Sequence, residues 1–231
     1  IDVYRGTAEA EKNFLHYALF VGYFPQLLQG PLGDYNRLSA QLLAEHDYDS
    51  TQAKYGIQRV MWGVFKKLVI ANSISYGVDT AISGYYLYSG LVWVIIIIGY
   101  GIQLYADFSG GIDIAIGIAQ ALGITLPENF IRPFFSKNIA EYWRRWHITM
   151  STWFRDYLFY PISITKTMQN FSKFLRKHFG DRIGKRLPVY VASFIVWFVT
   201  GIWHGTTSNF IVWGIVNYIL LMVSAELEPL Y

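Results

Sequence analysis

The sequence contains no cysteine. A disulfide, a thiolate nucleophile and thiolate ligation of a metal are therefore excluded for this chain. Charge is scarce as well. Asp, Glu, Lys and Arg make up 15% of the 231 residues, against about 25% in a typical soluble domain. Hydrophobic residues account for 53% and aromatic residues for 18%, so lipid is expected to solvate much of the surface. The net charge is +3, and the seven basic residues from Lys166 to Arg186 more than account for it. Such residues suit phosphate in nucleic acid or in lipid headgroups. Apolar flanks on both sides favour membrane lipid, and no nucleic-acid partner is expected.

Several enzyme signatures are missing. There is no Gly-x-Ser-x-Gly elbow, no Gly-x-Gly-x-x-Gly, no phosphate-binding loop and no His-Glu-x-x-His. No internal repeat and no low-complexity tract is visible. There is no initiator Met and no basic segment leading into a cleavable apolar one. We expect a fragment, central to C-terminal in a longer protein. Residues 1–231 read as one all-α domain, a polytopic transmembrane helical bundle with amphipathic, interfacial helices, multi-pass in the cell membrane.

Runs free of Asp, Glu, Lys and Arg mark the candidate spans, each needing roughly 20 residues. Asn13–Gly33 is one, interrupted by Pro25, and reads as a kinked span or a re-entrant segment. Thr80–Ala106 is another, and its centre from Leu91 to Ile98 is the clearest span signal in the chain. Leu187–Ala225 is long enough for two. Tyr55–Val78 has helical character but carries Arg59, Lys66 and Lys67, with Arg59 and Lys66 on one face. Ser109–Ile124 is short for a span. It places Gly111, Ala115, Ala119 and Gly123 at four-residue spacing, a stripe that lets helix backbones approach closely.

The stretch from Pro127 to Tyr160 differs from all of these. Asn138 and Glu141 stand at capping-box spacing. Apolar residues then recur at Ile139, Trp143, Trp146, Met150, Trp153 and Tyr157, steps of three and four that predict one amphipathic helix. Its tryptophans suit the membrane interface or the lining of an internal cavity. Ile162–Arg186 follows as a basic connector, which the positive-inside rule places on the cytoplasmic side.

His204 lies within the uncharged stretch Leu187–Ala225, where an ionisable side chain marks a functional site by default. A neutral imidazole there can take a proton from a hydroxyl. A histidine that bonds a carbonyl at a helix end, with Gly205 ending the turn, is the plain alternative. On the amphipathic helix, Arg144, His147, Ser151 and Arg155 form a polar stripe beside the tryptophans. The stripe is either a substrate-cavity wall, its arginines suited to phosphate or carboxylate, or a solvated helix face. Asp107 and Asp113 either orient a histidine or pair with Arg59 or Lys66.

The run Tyr105-Ala-Asp-Phe-Ser-Gly-Gly-Ile-Asp-Ile-Ala-Ile-Gly117, then Pro127-Glu-Asn-Phe130, then Ser136 through Trp143-Arg-Arg-Trp-His147 to Trp153-Phe-Arg-Asp-Tyr-Leu158, resembles the membrane-bound O-acyltransferase superfamily. The resemblance is strongest to its branch of alginate O-acetylating and teichoic-acid D-alanylating members. Phe24-Pro-Gln-Leu-Leu-Gln-Gly-Pro31 is similar to an earlier motif of the family, and Gly201-Ile-Trp-His-Gly205 to its second histidine motif. One departure concerns the acceptor. After Tyr157-Leu-Phe-Tyr-Pro-Ile162 the alginate-type Gly-Gly-Asn-Arg is replaced by Ser163-Ile-Thr-Lys-Thr and a longer basic connector. The transfer chemistry is untouched by that change.

The resemblance implies that His147 and His204 are the active-site histidines. It also implies a thioester donor on the cytoplasmic side, acyl-CoA or an acyl carrier protein, as substrate; no bound cofactor or metal is expected. The implied acceptor is a hydroxyl of a cell-surface polysaccharide or teichoic acid, with an extracytoplasmic partner as one route to it. We assign His204 as general base, because it sits deepest in apolar sequence. His147 then orients the donor or polarises its carbonyl. Trp143, Trp146, Arg144, Ser151 and Arg155 are the expected substrate-binding residues. D-alanyl transfer uses the same chemistry. A non-enzymatic transporter or channel is the alternative of another class, although transporters show repeated halves and none is visible here.

Overall fold

The computed structural model describes residues 1–27 and 29–228. Leu28, inside the Phe24–Pro31 motif, lies outside the described residues. The chain divides into two compact units, residues 1–129 and 130–231. Apart from one isolated antiparallel bridge, regular structure among the described residues is helical, as the composition implies.

Unit 1 begins with short helices: α1 (Asp2–Arg5), α2 (Phe14–Val21), α3 (Phe24–Leu27) and α4 (Tyr35–Leu43). Asn13–Gly33 is thus no continuous span. Gly22 ends α2, and Gln26 Nε2 turns back to donate to the Phe20 carbonyl at 2.7 Å. Neither helix has the length to cross a bilayer, which leaves the re-entrant alternative. Then come α5 (Ser50–Val64), a π-helical stretch (Phe65–Ala71), α6 (Asn72–Ser83) and α7 (Leu91–Ala121).

The expected span Thr80–Ala106 is displaced toward the C-terminus. A turn at Gly84–Gly90 separates α6 from α7, and α7 runs through Asp107 and Asp113 to Ala121. Ser109–Ile124, read as a separate short segment, is mostly its second half. The carboxylates do not end the helix because cations of the preceding segment meet them. Asp113 receives Lys66 Nζ at 2.5 Å and Arg59 at 2.8 Å. Lys66 also donates to Ser109 Oγ at 2.8 Å, and Lys67 reaches Asp107 at 2.5 Å. Arg59 extends to Glu128 through two hydrogen bonds of 2.6 Å. Asp113 thus takes the second of its two foreseen roles, pairing with Arg59 and Lys66, while Asp107 pairs with Lys67, a partner not foreseen.

Glycines set the packing of α5 on α7. A Cβ on Gly56 would lie 2.5 Å from the Gly117 carbonyl oxygen, and one on Gly63 would lie 2.6 Å from that of Gly110. The pairs run in opposite order, so the two helices are antiparallel and in backbone contact. The stripe foreseen at Gly111, Ala115, Ala119 and Gly123 flanks this contact. Ala115 and Ala119 are buried, while Gly111 abuts the Gln29 side chain.

Unit 2 comprises α8 (Ile139–Arg145), α9 (Ile148–Phe154), a π-helical stretch (Arg155–Phe159), α10 (Tyr160–Ser163), α11 (Lys166–Phe179), α12 (Asp181–His204) and α13 (Ser208–Leu227). The basic connector is a helical hairpin: α11 packs on the first turns of α12, and Ser172 Oγ donates to the Gly184 carbonyl at 2.7 Å. Leu187–Ala225 forms two antiparallel helices, as expected. Their far ends are tied by Glu226, which accepts from Arg186 and Tyr190 and, at 3.2 Å, from Arg182.

By length and composition α7, α12 and α13 can each cross a membrane. Their large apolar side chains are largely uncovered: Ile95 and Ile97 on α7 are 63% and 66% exposed. Such a surface is stable in hydrocarbon and not in water.

Candidate active site in unit 2

The site begins at a helix that does not continue. Asn138 Oδ1 caps α8 by accepting from Glu141 N at 2.8 Å, and Glu141 accepts in turn from the backbone of Lys137. The expected capping box thus forms, with Lys137 taking the return bond. The single amphipathic helix predicted across Trp146 does not form. Trp146 is extended and makes the one bridge, with Phe130, while Ile131 N donates to the Arg145 carbonyl at 3.0 Å. The buried Trp146 ring stacks on Tyr142 at 5.6 Å and meets Phe130 edge-on at 4.9 Å. That burial offsets the lost helical hydrogen bonds.

His147 follows at φ 46°, in the left-handed region. A non-glycine residue there is strained by roughly 1–2 kcal/mol. α9 starts immediately after it, with the His147 carbonyl accepting from Ser151 N at 3.0 Å. Arg132, two residues past the bridge on the other segment, is also left-handed at φ 45°. Two strained residues around one bridge mark a locally imposed geometry.

The second histidine arrives from α12. His204 is its last residue, and Gly205 caps the helix through bonds to the Gly201 and Ile202 carbonyls. A Cβ on Gly205 would come 2.4 Å from the Phe210 ring, so glycine permits the close turn into α13. Aromatic rings hold the imidazole: Trp203 at 4.7 Å, Trp213 at 4.8 Å and Phe210, nearly parallel, at 6.2 Å. Trp203 is also 6.2 Å from the His147 ring, so it contacts both histidines. Trp143 projects from α8 into this group, 4.9 Å from Trp197 and 5.8 Å from Trp213, edge to face. Its indole Nε1 is buried without a hydrogen-bond acceptor among the described residues.

The order of exposure reverses the expectation. His204 is exposed, whereas His147 is half-buried. Burial pushes the His147 imidazole down to about 4, with the nearby His204 adding to the effect. His147 is therefore neutral at physiological pH.

The other expected residues divide. Trp143 and Trp146 lie in the aromatic cluster. Ser151 Oγ makes a long 3.5 Å bond to the Trp143 carbonyl. The stripe itself is dissolved, because the break at Trp146–His147 changes the helical phase between Arg144 and Ser151. Arg144 is exposed, and Arg155 is exposed and paired with Asp156 at 2.8 Å. Trp197, Trp203, Phe210 and Trp213 were not foreseen. One signal existed: Trp197 precedes His204 by two helical turns, on the same face of α12.

A helical membrane protein that gathers two histidines from separate segments under a shared aromatic roof is the class that fold and site define. Residues 10–170 match the family model described as MBOAT, membrane-bound O-acyltransferase family. The chain belongs to that family. It is 36% identical, over 93% of its length, to the probable alginate O-acetylase AlgI of Pseudomonas syringae pv. tomato, of which it covers 38%. It is also 36% identical, over 91% of its length, to the peptidoglycan O-acetyltransferase of Helicobacter pylori, covering 37% of that protein. With the teichoic acid D-alanyltransferase of Bacillus subtilis it shares 30% identity over 87% of its length and 49% of that protein. The chain thus spans less than half the length of each of these relatives. Family membership and the three long apolar helices make it a membrane protein.

Proposed function

We propose that this chain carries the reaction centre of an O-acyltransferase that moves an acyl group, in the first instance acetyl, from a thioester to a hydroxyl of a cell-envelope glycan. The observation that carries the proposal is the convergence of His147 and His204 on Trp203 within unit 2. The family match and relatives named for O-acetylation of alginate and peptidoglycan support the reaction class. The relative named for D-alanyl transfer makes that acyl group the second candidate.

A thioester is already activated, so the protein must position two partners and take one proton. Positioning lowers a barrier by as much as roughly 7–11 kcal/mol, and a general base contributes about 10²–10⁴ in rate. We assign the base to His204. It is the more exposed of the two histidines, and this replaces depth in apolar sequence as the reason. As the hydroxyl oxygen attacks the thioester carbonyl, its proton passes to the His204 imidazole. The C–S bond then breaks, and the proton returns to the departing thiolate. His147, neutral and held by its strained backbone, orients the donor. The unpaired Trp143 Nε1–H is a donor awaiting an acceptor atom from substrate.

The test replaces each histidine in the full-length membrane protein. His204→Ala should lower kcat by at least about 10²-fold with donor KM little changed. His147→Asn keeps a side chain that tolerates the left-handed backbone while removing the imidazole, and should lower kcat and raise donor KM together. Both variants should accumulate in membranes at the level of the parent. Near-normal turnover of His204→Ala would refute the base assignment.

A further inference from the structure

The amphipathic helix α11 has no part in the chemistry above. Its inner side is apolar: Leu175 is buried, and Met168 and Phe171 are half-buried. Phe174 and Phe179 nevertheless remain 54% and 58% exposed. Between α11 and the first apolar turn of α12 lies an open groove of about 270 Å³. Lys173 and Arg176 form one side of it, and Met168, Pro188 and Val189 line the rest together with Gln169 and two serines.

The polar groups of the groove are unequally committed. Ser163 Oγ donates to the Phe159 carbonyl, Ser172 Oγ to that of Gly184 and Gln169 Nε2 to that of Ile164. Lys173 and Arg176 have no ion-pair partner among the described residues. The nearest acid in sequence, Asp181, is taken by Lys185 at 3.0 Å, and Glu226 is taken by Arg182 and Arg186. The groove therefore offers two cations that no acid bonds among the described residues, Arg176 feeling Asp181 only through space, above an apolar floor. That floor lies at the start of the apolar part of α12, where Val189 is 44% exposed, on a helix that can cross a membrane.

We propose that this groove is a binding site for an anionic phospholipid. The phosphate sits between Lys173 and Arg176, and the start of an acyl chain lies on Met168, Pro188 and Val189. A cationic pair alone would suit any phosphate. The apolar floor beneath it, on a helix that can cross a membrane, selects a phosphate that carries a hydrocarbon tail. An acidic protein partner would use the cations but leave the floor uncovered.

The test compares the membrane protein reconstituted into phosphatidylcholine vesicles with and without phosphatidylglycerol, reading retained lipid by native mass spectrometry. The parent protein should retain phosphatidylglycerol over phosphatidylcholine. The double variant Lys173→Gln, Arg176→Gln should bind it about twenty-five-fold more weakly, at about fivefold per cation. Lys173→Gln with Arg176→Lys, which keeps the second charge, should recover about fivefold of that loss. The control pair Lys166→Gln, Lys177→Gln removes the same charge outside the groove and should retain the lipid as the parent does. Soluble glycerol phosphate should not compete. Equal retention by the double variant would overturn the site, and so would an equal loss in the control pair. Competition by glycerol phosphate, or binding of an acidic carrier protein without lipid selectivity, would overturn the lipid as occupant.

Discussion

Asp113→Asn tests the ionic junction of unit 1. The substitution preserves shape and removes one negative charge. In the parent, Asp113 faces Lys66 at 2.5 Å and Arg59 at 2.8 Å. These two cations are unequal. Arg59 keeps Glu128, whose side chain is 50% exposed, so its loss stays on the surface scale of about 0–1 kcal/mol. Lys66 is 7% exposed and keeps only neutral partners, the Ser109 hydroxyl and the face of the Tyr105 ring at 5.8 Å. A buried charge stripped of its partner costs about 3–5 kcal/mol, so we expect Asp113→Asn to destabilise by about 3 kcal/mol. Lys66→Met leaves Asp113 paired with Arg59 and should cost about 1 kcal/mol. Combining the two removes the orphaned ammonium, so the double variant should be more stable than Asp113→Asn alone, with a coupling of about 2 kcal/mol. Denaturant titration of the detergent-solubilised protein, followed by tryptophan fluorescence, measures all four corners of the cycle. An Asp113→Asn protein within about 0.5 kcal/mol of the parent, or costs that simply add, would refute the reasoning.

Three further outcomes are expected. Lys177, in the basic connector, should be labelled by an impermeant reagent only after the membrane is opened; labelling from outside intact cells would contradict the cytoplasmic assignment. Gly117→Ala forces a methyl to within 2.6 Å of the Gly56 carbonyl oxygen and should cost about 1–3 kcal/mol, while Ala115→Leu, at a buried position, should also destabilise; unchanged unfolding of both would place this face against lipid. His147 has its folded-state pKa lowered to about 4 from 6.5, so the unfolded chain binds more protons between those values. Its contribution to stability is complete above pH 6.5 and falls as the pH drops through that window, by about 2 kcal/mol between pH 7.5 and 5; His147→Asn should lack this component, and identical pH profiles for the two proteins would refute the burial of the ring.

What the sequence disclosed follows from which forces act locally. The pair α12 and α13 was legible because no charge interrupts Leu187–Ala225 and two spans fit its length. α7 was misplaced at both ends for two reasons. Gly84 and Gly90 carry no charge, so the turn at its start is invisible to a search for charge-free runs. Asp107 and Asp113 do carry charge, yet Lys67, Lys66 and Arg59 compensate it from the neighbouring segment. A criterion that counts formal charge residue by residue misses such pairs. The facing of Arg59 and Lys66 was visible in their seven-residue spacing; the aspartate that both meet was one option of two.

The two histidines of the candidate site were named from the sequence, but the geometry around them was not legible there, and the difference turns on Trp146. Nothing in Arg144-Arg-Trp-His-Ile148 breaks a helix: there is no glycine and no proline, and the apolar period runs through. The break comes from tertiary structure, since the indole is buried between Phe130 and Tyr142 while the backbone pairs with Phe130. The chemical consequence is specific. On a continuous helix His147 would share its face with Arg144, Ser151 and Arg155, a polar wall suited to an anionic group. With the chain turned at φ 46°, the histidine leaves that wall and meets Trp203, while Arg144 and Arg155 remain exposed. The surroundings of the two imidazoles are therefore aromatic and poor in fixed charge. Such an environment keeps His147 neutral. In the proposed transfer it suits an uncharged thioester carbonyl and an uncharged hydroxyl better than a phosphate, so a phosphate on the proposed donor would be recognised away from the histidines.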